Sequence, residues 1–245
     1  MREPEPELWL TKLFNDHLAG VGNWALGLVH IHASARPWAN YVVMELLVAA
    51  ILVVLFAVLK SMLSPDSPGR LQHTFELVYN FLRGESEDQV GHNGPHYIAF
   101  FGTIFLFILA MNLIGIVPQF ESPTMVPAVP LGCAVATFFY YHMVGIKENG
   151  LGRYLSHFAG PMIILAPLMI PIELISHLAR PLSLTIRLYA NMFAGEAVTM
   201  VFLSLTYFLV PAIFMGLHTF VALLQAYIFM LLAMMYVAGA VAHEH

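Results

Sequence analysis

The sequence predicts an all-α polytopic membrane protein. Hydrophobic residues make up 59% of the 245 residues and charged residues only 10%, and the mean hydropathy is +0.76. Soluble domains carry about 25% charged residues, so a soluble core could not bury this much apolar surface. The apolar residues also gather into runs of about 20, the length of a helix that crosses a bilayer. The net charge of −5 is spread thinly, which argues against nucleic-acid binding.

The amino-terminal segment, residues 1–39, precedes the first long apolar run. It begins with acidic residues and then mixes apolar with polar side chains. It could therefore form a short amphipathic helix against the membrane face, or a loosely ordered tail. No cleavable signal peptide is apparent, because the first apolar run starts only near Tyr41 and is too long for a signal core.

Residues 40–245 are predicted to form a single membrane domain. An upright helix comes first, followed by a surface helix in which apolar residues recur at helical spacing. A helical hairpin and two long helices complete the chain. Each long helix exceeds the ~20 residues that cross a bilayer upright, so we expect strong tilt or segments outside the hydrocarbon. The membrane helices are predicted at about 40–63, 96–118, 125–146, 162–204 and 210–242, and the surface helix at about 70–83.

Loop charges predict the orientation of these helices. The loop between the first two spans and the loop after the third carry Lys and Arg, whereas the loops at 119–124 and 206–211 carry neither. By the positive-inside rule the basic loops face the cytoplasm. The amino terminus then lies outside and the carboxyl terminus in the cytoplasm. A bacterial plasma membrane is the simplest location, and a chloroplast thylakoid membrane is the alternative.

A polar stripe runs along the fourth span, inside the most apolar half of the sequence. Glu173, Arg180 and Arg187 are spaced seven residues apart, nearly two helical turns, so they fall close to one face. Other polar residues lie four positions from members of this set. The stripe comprises Glu173, His177, Arg180, Ser183, Arg187, Asn191 and Glu196.

Arg187 is the residue of this stripe that most demands an explanation. An arginine at bilayer depth costs at least about 2.5–3.5 kcal/mol, so a specific partner or a water-filled cavity is expected. Its guanidinium stays charged at any accessible pH. The structural alternative is an ion pair with Glu173 or Glu196.

The last helix carries a thinner stripe that includes His218, Gln225 and Tyr236. If the two long helices run antiparallel, Gln225 lies level with Arg187. His218 then falls toward the end that carries Glu196, and Tyr236 toward the opposite, cytoplasmic end.

Simpler interpretations of several polar residues stay open. His177 could be a satisfied interior histidine, and Tyr236 could be a packing residue. Ser183 could bond a backbone carbonyl, as such residues often do in membranes. Arg180 could extend toward the interface or pair with Glu173.

The twelve histidines do not suggest a metal site. The sequence contains no His-Glu-x-x-His motif, and Cys133 is its single cysteine. It also lacks a Gly-x-x-x-x-Gly-Lys-Ser/Thr loop, so nucleotide binding of that kind is not expected. No metal or cofactor is predicted.

Residues 171–196, PIELISHLARPLSLTIRLYANMFAGE, resemble the signature of subunit a of the F-type ATP synthase. Residues 224–230, LQAYIFM, resemble the last-helix motif of that family, and residues 75–78 and 111–118 also fit. The resemblance covers about 70–245 and is most specific in the RLYANMFAGE segment. Residues 1–40 contribute nothing to it.

The resemblance implies a fold of one upright helix, a surface helix, a hairpin and two long tilted helices facing a c-ring. The essential arginine of the family maps onto Arg187, and its partner glutamine maps onto Gln225. The asparagine four residues after that arginine maps onto Asn191. The polar pair of the outer half-channel maps onto Glu196 and His218. The rest of the expected proton path is Glu173, Ser183, His177 and Tyr236.

The implied function is that of a stator proton channel. Two offset half-channels and Arg187 would control deprotonation of a c-ring carboxylate, coupling proton flow to rotation and ATP synthesis. The expected partners are the c-subunit ring, the peripheral stalk b subunits, the lipid bilayer and, indirectly, the soluble head. The chain would not be an enzyme on its own. The alternative function is a self-contained ion channel or secondary transporter.

Overall fold

The computed structural model describes residues 7–28, 32, 34–64, 69–117, 119–152, 154, 166–205 and 209–241. In these ranges the regular structure is entirely helical, which confirms the all-α class. The predicted helix start at 162, the loop residues 206–208 and the carboxyl-terminal residues 242–245 lie outside the described residues. The α-helices are α1 Trp9–Leu28, α2 Asn40–Met62, α3 Arg70–Val90, α4 Ile98–Ile114, α5 Ala128–Asn149, α6 Ala166–Leu205 and α7 Leu209–Val241.

Four helical segments in the described ranges are long and apolar enough to cross a membrane: Asn40–Met62, Gly94–Ile114, Ala128–Asn149 and Ala212–Val241. The chain is therefore a polytopic membrane protein. The 40-residue α6 is not among the four and carries four charged side chains. At a rise of about 1.5 Å per residue it is about 60 Å long. That is about twice the ~30 Å thickness of the hydrocarbon, so an upright α6 would extend well beyond it.

Helix α3 is longer than the apolar periodicity predicts. It passes through Gly84 and reaches Val90, where Gly91 ends it with a positive φ of 86° and an N–H bonded to the carbonyl of Glu87. The last turns are polar and are supported along the helix surface by Arg83, whose Nε lies 2.8 Å from Glu87 Oε1. Hydrophobic spacing alone could not reveal these turns, because their residues contribute little apolar surface.

The connection between α4 and α5 is longer than predicted, because it spans 115–127 rather than 119–124. α4 ends at Ile114, and a 3-10 helix at Pro123–Met125 precedes α5. Gly115 makes this possible, because a Cβ there would lie 2.7 Å from the Cβ of Ser122. The Ser122 hydroxyl donates to the carbonyl of Met111 at 2.9 Å, which closes the loop on α4.

Asn112 joins this hairpin to the last helix. Its amide nitrogen donates to the carbonyl of Ala222 at 3.2 Å, and its oxygen accepts from Thr124 Oγ1 at 2.8 Å. The side chain is fully buried. Buried amide groups of this kind stabilise contacts between membrane helices by about 0.6–2 kcal/mol.

Helix α7 lies at the centre of the described fold, in contact with α3, α4, α5 and α6. Ala222 and Ala226 allow neighbouring backbones to approach closely, as small residues do between membrane helices. Phe229, Met230 and Met234 are fully buried and fill the space around it. This arrangement fixes α6 against a rigid support.

We expect Gly145→Leu to destabilise the protein strongly. A Cβ at Gly145 would overlap the ring of Tyr154, whose hydroxyl is held 3.2 Å from His142 Nδ1. Overpacking of this kind costs about 1–3 kcal/mol. The measurement is the thermal stability of the purified protein in detergent.

The matched control is Gly132→Leu on the same helix, because nothing lies within 4 Å of a Cβ at Gly132. Equal stability of the two variants would contradict the predicted packing of α5 on the segment that carries Tyr154.

Candidate functional site

The candidate site is built on the antiparallel packing of α6 against α7. Side-chain contacts at three levels fix the register of the two helices. Gln225 lies level with Asn191, one helical turn from Arg187, whereas the sequence predicts it level with Arg187 itself. The contacting pairs are Arg180 with Tyr236, Asn191 with Gln225, and Gly195 with His218.

Arg187 lies half-buried on α6 and has no carboxylate within ion-pair distance among the described residues. The alternative of a structural pair with Glu173 or Glu196 is therefore not realised. Glu173 pairs instead with His177, whose Nε2 lies 3.2 Å from Glu173 Oε1. Glu173 and Glu196 lie about 21 and 14 Å from Arg187 along the helix axis, given the rise per residue.

Asn191 and Gln225 form the polar contact nearest to Arg187. The amide nitrogen of Asn191 donates to Gln225 Oε1 at 2.8 Å. Gln225 is only 2% exposed, whereas Asn191 is exposed. The hydrogen bond thus joins the buried interface of α6 and α7 to the outward face of α6.

The outward face of α6 has no partner within the described part of the chain. Ser183 and Asn191 are exposed and Arg187 is half-exposed, with apolar side chains such as Leu182 and Ile186 exposed beside them. The Ser183 hydroxyl donates to the carbonyl of Arg180 at 2.9 Å, which is the backbone interaction expected for such a serine. A charged stripe in an apolar surface requires a protein partner or water beside it.

At one end of the site, Glu196 borders two cavities. A cavity of about 280 Å³ is lined by Glu196, His218 and Thr199. A second, larger cavity of about 740 Å³ is lined by Glu196 and by Glu121. His218 therefore lies toward the Glu196 end, as predicted.

Gly195 is necessary for this arrangement. A Cβ at Gly195 would lie 2.5 Å from Nδ1 of His218, so the ring packs directly on the α6 backbone. Any larger residue would push His218 away from Glu196.

At the other end, Glu173 and His177 belong to a hydrogen-bonded chain that reaches α5. Tyr141 Oη lies 2.8 Å from His177 Nδ1. If neutral His177 carries its proton on Nε2, that N–H donates to Glu173 and Nδ1 accepts from the tyrosine hydroxyl. Both ring nitrogens of the buried His177 thus have a polar partner, and one of these partners is the carboxylate of Glu173.

Tyr141 was not singled out by sequence reasoning. It lies in the aromatic run FFYYH at 138–142, where nothing in the spacing marks one ring as polar and functional. Only the packing of α5 on α6 brings its hydroxyl to His177.

Arg180 stacks over aromatic rings rather than pairing with Glu173. Its guanidinium carbon lies 5.8 Å from the ring centre of Tyr141 and 5.1 Å from that of Tyr236. Such cation–π contacts contribute about 0.5–2 kcal/mol. Tyr236 is accordingly a packing residue whose ring faces a cation.

Tyr154 lies beside this end of the site. Burial raises the pKa of its hydroxyl, while the positive charge of Arg180 acts in the opposite direction. The neutral hydroxyl lies 3.2 Å from Nδ1 of His142, whose ring is 5.1 Å from that of His177. Polar groups therefore continue from α6 through α5 to the following segment.

No group of three His, Cys, Asp or Glu side chains that could hold a metal ion occurs in the described ranges. The polar clusters instead consist of single carboxylates, each beside a histidine. Such groups can donate, accept and relay protons.

Comparisons with known proteins agree with the resemblance drawn from the motifs. A family model described as ATP synthase A chain matches residues 42–238. Over 233 residues the chain is 72% identical to ATP synthase subunit a of Solibacter usitatus, covering 95% of this chain and all of that protein.

More distant relatives match over almost the whole chain as well. The identity is 49% to ATP synthase subunit a of Koribacter versatilis, covering 98% of each chain. It is 39% to ATP synthase subunit a of Desulfosudis oleivorans, covering 98% of this chain and 99% of that protein. The chain therefore belongs to the ATP synthase A chain family, as a multi-pass bacterial membrane protein of the F0 sector, which acts in proton transport and ATP synthesis.

Proposed function

We propose that this chain is the stator proton channel of an F-type ATP synthase, in which Arg187 separates two half-channels. The observation that carries the proposal is the position of Arg187. The residue has no carboxylate partner in the described part of the chain, it lies on an outward face, and carboxylate–histidine clusters flank it in both directions. A cation in this setting is available to an acidic group on a neighbouring protein.

The two polar ends of α6 and α7 are suited to serve as the half-channels. The outer one contains Glu196 and His218, which share a cavity. The inner one contains Glu173 and His177. The clusters lie on opposite sides of Arg187, so a proton cannot pass directly between them without approaching a fixed positive charge.

The proposed partner at Arg187 is a carboxylate of a rotating c-ring. In lipid this group travels protonated and neutral. Near Arg187 its anion is favoured, because an opposite charge within ~4–6 Å lowers a carboxyl pKa by about 1–3 units. It releases its proton into one half-channel, passes the arginine and is reprotonated from the other. Each proton that crosses ~100 mV contributes about 2.3 kcal/mol to rotation.

The Asn191–Gln225 hydrogen bond supports this arrangement. It holds α6 and α7 together one turn from the arginine, where the c-ring would pass. Asn191 lies on the same outward face and gives only one of its two amide N–H groups to Gln225, so the incoming carboxylate would meet a hydrogen-bond donor as well as charge.

The remaining partners and the orientation follow from this proposal. The peripheral stalk b subunits would hold the chain still relative to the soluble head, which it would serve without binding nucleotide. The amino terminus would lie outside the bacterial plasma membrane and the carboxyl terminus in the cytoplasm, in agreement with the positions of the basic loops.

Arg187→Ala is expected to abolish ATP-driven proton pumping in inverted membrane vesicles while leaving the complex assembled. Without the guanidinium, a c-ring carboxylate has no cation to favour its deprotonation. Pumping is followed with a pH-sensitive dye, and assembly by co-purification with the c-subunit and the stalk.

The matched control is Arg83→Ala, because Arg83 lies on the exposed surface of α3 and pairs only with its own helix. Full pumping by assembled Arg187→Ala would contradict the proposal. Proton transport by the purified chain alone would favour the alternative of a self-contained channel or transporter.

Gln225→Leu is expected to lower pumping without abolishing it. The variant removes the acceptor of the Asn191 amide, and a net loss of about 0.5–1.5 kcal/mol corresponds to a roughly two- to tenfold effect. The measurement is the initial pumping rate per assembled complex.

Thr219→Val is the control on the same helix, since Thr219 is exposed and bonds only the carbonyl of Met215 in its own helix. A Gln225→Leu rate equal to that of Thr219→Val would show that the amide pair does not support the site.

A further inference from the structure

Residues 7–28 and 34–39 pack against each other, although the family match begins only at residue 42. The buried side chain of Asn15 pairs with both backbone groups of Trp38, donating to its carbonyl at 3.1 Å and accepting from its N–H at 3.0 Å. Asn23 pairs in the same way with Ser34, at 3.0 and 2.9 Å. Two asparagines on α1 thus bind the segment 34–39, and we call residues 7–28 together with 34–39 the N-terminal hairpin.

The contact between the two arms of the N-terminal hairpin is close and specific. The indole nitrogen of Trp38 donates to the carbonyl of Leu18 at 2.9 Å, and its ring meets that of Phe14 edge-on at 5.7 Å. A Cβ at Gly22 would lie 2.7 Å from the ring of Pro37, so a glycine is required there. A loosely ordered tail would have none of these constraints.

Asn40 connects the N-terminal hairpin to a carboxylate of the membrane domain. Its side-chain oxygen accepts from the backbone N–H of Leu8 at 3.2 Å. Its amide nitrogen donates to Glu121 Oε2 at 3.3 Å. One amide therefore holds both the start of α1 and the α4–α5 loop. The ion pair between Glu7 and Arg36 lies in the same unit.

The N-terminal hairpin, the α4–α5 loop and α6 line the cavity of about 740 Å³. Glu7 and Trp38 line one side of it, and Glu121 lines another. Glu196 lines it too and also borders the cavity that contains His218. Since a water molecule takes about 30 Å³ in the liquid, the larger cavity is roomy enough for a connected group of waters among these polar side chains.

We propose that the N-terminal hairpin forms the outer wall of the proton route and that Asn40 positions Glu121 to exchange protons between outside water and Glu196. This inference rests on the proposed function, because it extends the outer half-channel. Protonated Glu121 gives its proton through cavity water to the Glu196 carboxylate and is then reprotonated from outside water. During pumping the same transfers run in reverse.

A purely structural role for Glu121 makes a different prediction. In that case the carboxylate serves only as an acceptor for Asn40, and a glutamine at 121 would replace it, because its amide oxygen also accepts. Proton exchange requires an ionisable group, which glutamine lacks. Glu121→Gln therefore separates the two roles while keeping the size of the side chain.

The test measures ATP synthesis in inverted vesicles as a function of luminal pH, with the total driving force held constant by adjusting the membrane potential. We expect Glu121→Gln to lower the rate by about tenfold near pH 8 and much less near pH 6, because a local carboxylate matters most when free protons are scarce. Glu121→Asp should restore most of the rate. Asn40→Leu should shift the profile in the same direction as Glu121→Gln.

Glu87→Gln is the matched control, since Glu87 lies on the exposed surface of α3 and lines neither cavity. A Glu121→Gln profile that coincides with that of Glu87→Gln at every pH would overturn the inference. Arg187→Ala separates a failure of the proposed function from a failure of the role of Glu121. Full activity of Arg187→Ala would overturn the proposed function. If Arg187→Ala is inactive and the Glu121→Gln profile is unchanged, only the role of Glu121 is overturned.

A labelling experiment tests the wall itself. In a Cys133→Ser background, Val126→Cys places a thiol in the larger cavity and Val135→Cys places one on the exposed apolar face of α5. A membrane-impermeant thiol reagent, added to each side in separate experiments, should modify only Val126→Cys and only from the outer side. A reaction at Val126→Cys no faster than at Val135→Cys would contradict a water-filled cavity.

Loosening the hairpin should then change access to the cavity. Asn15→Leu removes both hydrogen bonds to Trp38 and is expected to speed the modification of Val126→Cys. An unchanged rate in this variant would mean that the N-terminal hairpin is not the wall.

Discussion

The fold is organised around a positive charge that no carboxylate in the described ranges neutralises. Arg187 cannot lose its proton, and the carboxylates of α6 lie too far along the helix to reach it. Glu173 pairs with His177, and Glu196 lines two cavities. A charge placed in an apolar surface without an internal partner is costly, so it requires a protein partner or water beside it. The surrounding structure therefore has to be both rigid and open on one side.

Rigidity comes from α7 and openness from the outward face of α6. Fully buried alanine, phenylalanine and methionine side chains pack α7 against four other helices, and the Asn191–Gln225 bond fixes α6 to this support. Gly195 lets His218 pack directly on the α6 backbone. Because the two helices are locked in one register, polar groups at their two ends stay at fixed distances from the arginine. That separation is what a proton route in two unconnected halves requires.

Helical periodicity in the sequence was enough to predict the stripe on α6, its antiparallel partner residues on α7, and the membrane spans. It could not predict Tyr141, because an aromatic run on α5 carries no spacing signal and acquires a role only when packed on His177. It left open whether Arg180 extends toward the interface or pairs with Glu173, whereas the guanidinium stacks on two tyrosine rings contributed by other helices. Contacts within one helix follow from spacing, but contacts between helices depend on packing that one sequence does not encode in any short pattern.

The amino-terminal segment is a second case in which residue spacing does not predict the contacts that order the chain. Its composition allowed either a helix or a loose tail, since it mixes apolar with polar side chains. What orders it is a set of asparagine side chains that pair with backbone groups eleven or more residues away, and a glycine that admits a proline and a tryptophan. Such bonds satisfy backbone groups that regular structure leaves unpaired, so they stabilise a short segment that lacks a hydrophobic core. The same bonds bring Glu7 and Trp38 to the cavity that Glu121 and Glu196 also line. The proposed outer wall of the proton route is therefore an ordered segment that lines the same cavity as Glu196.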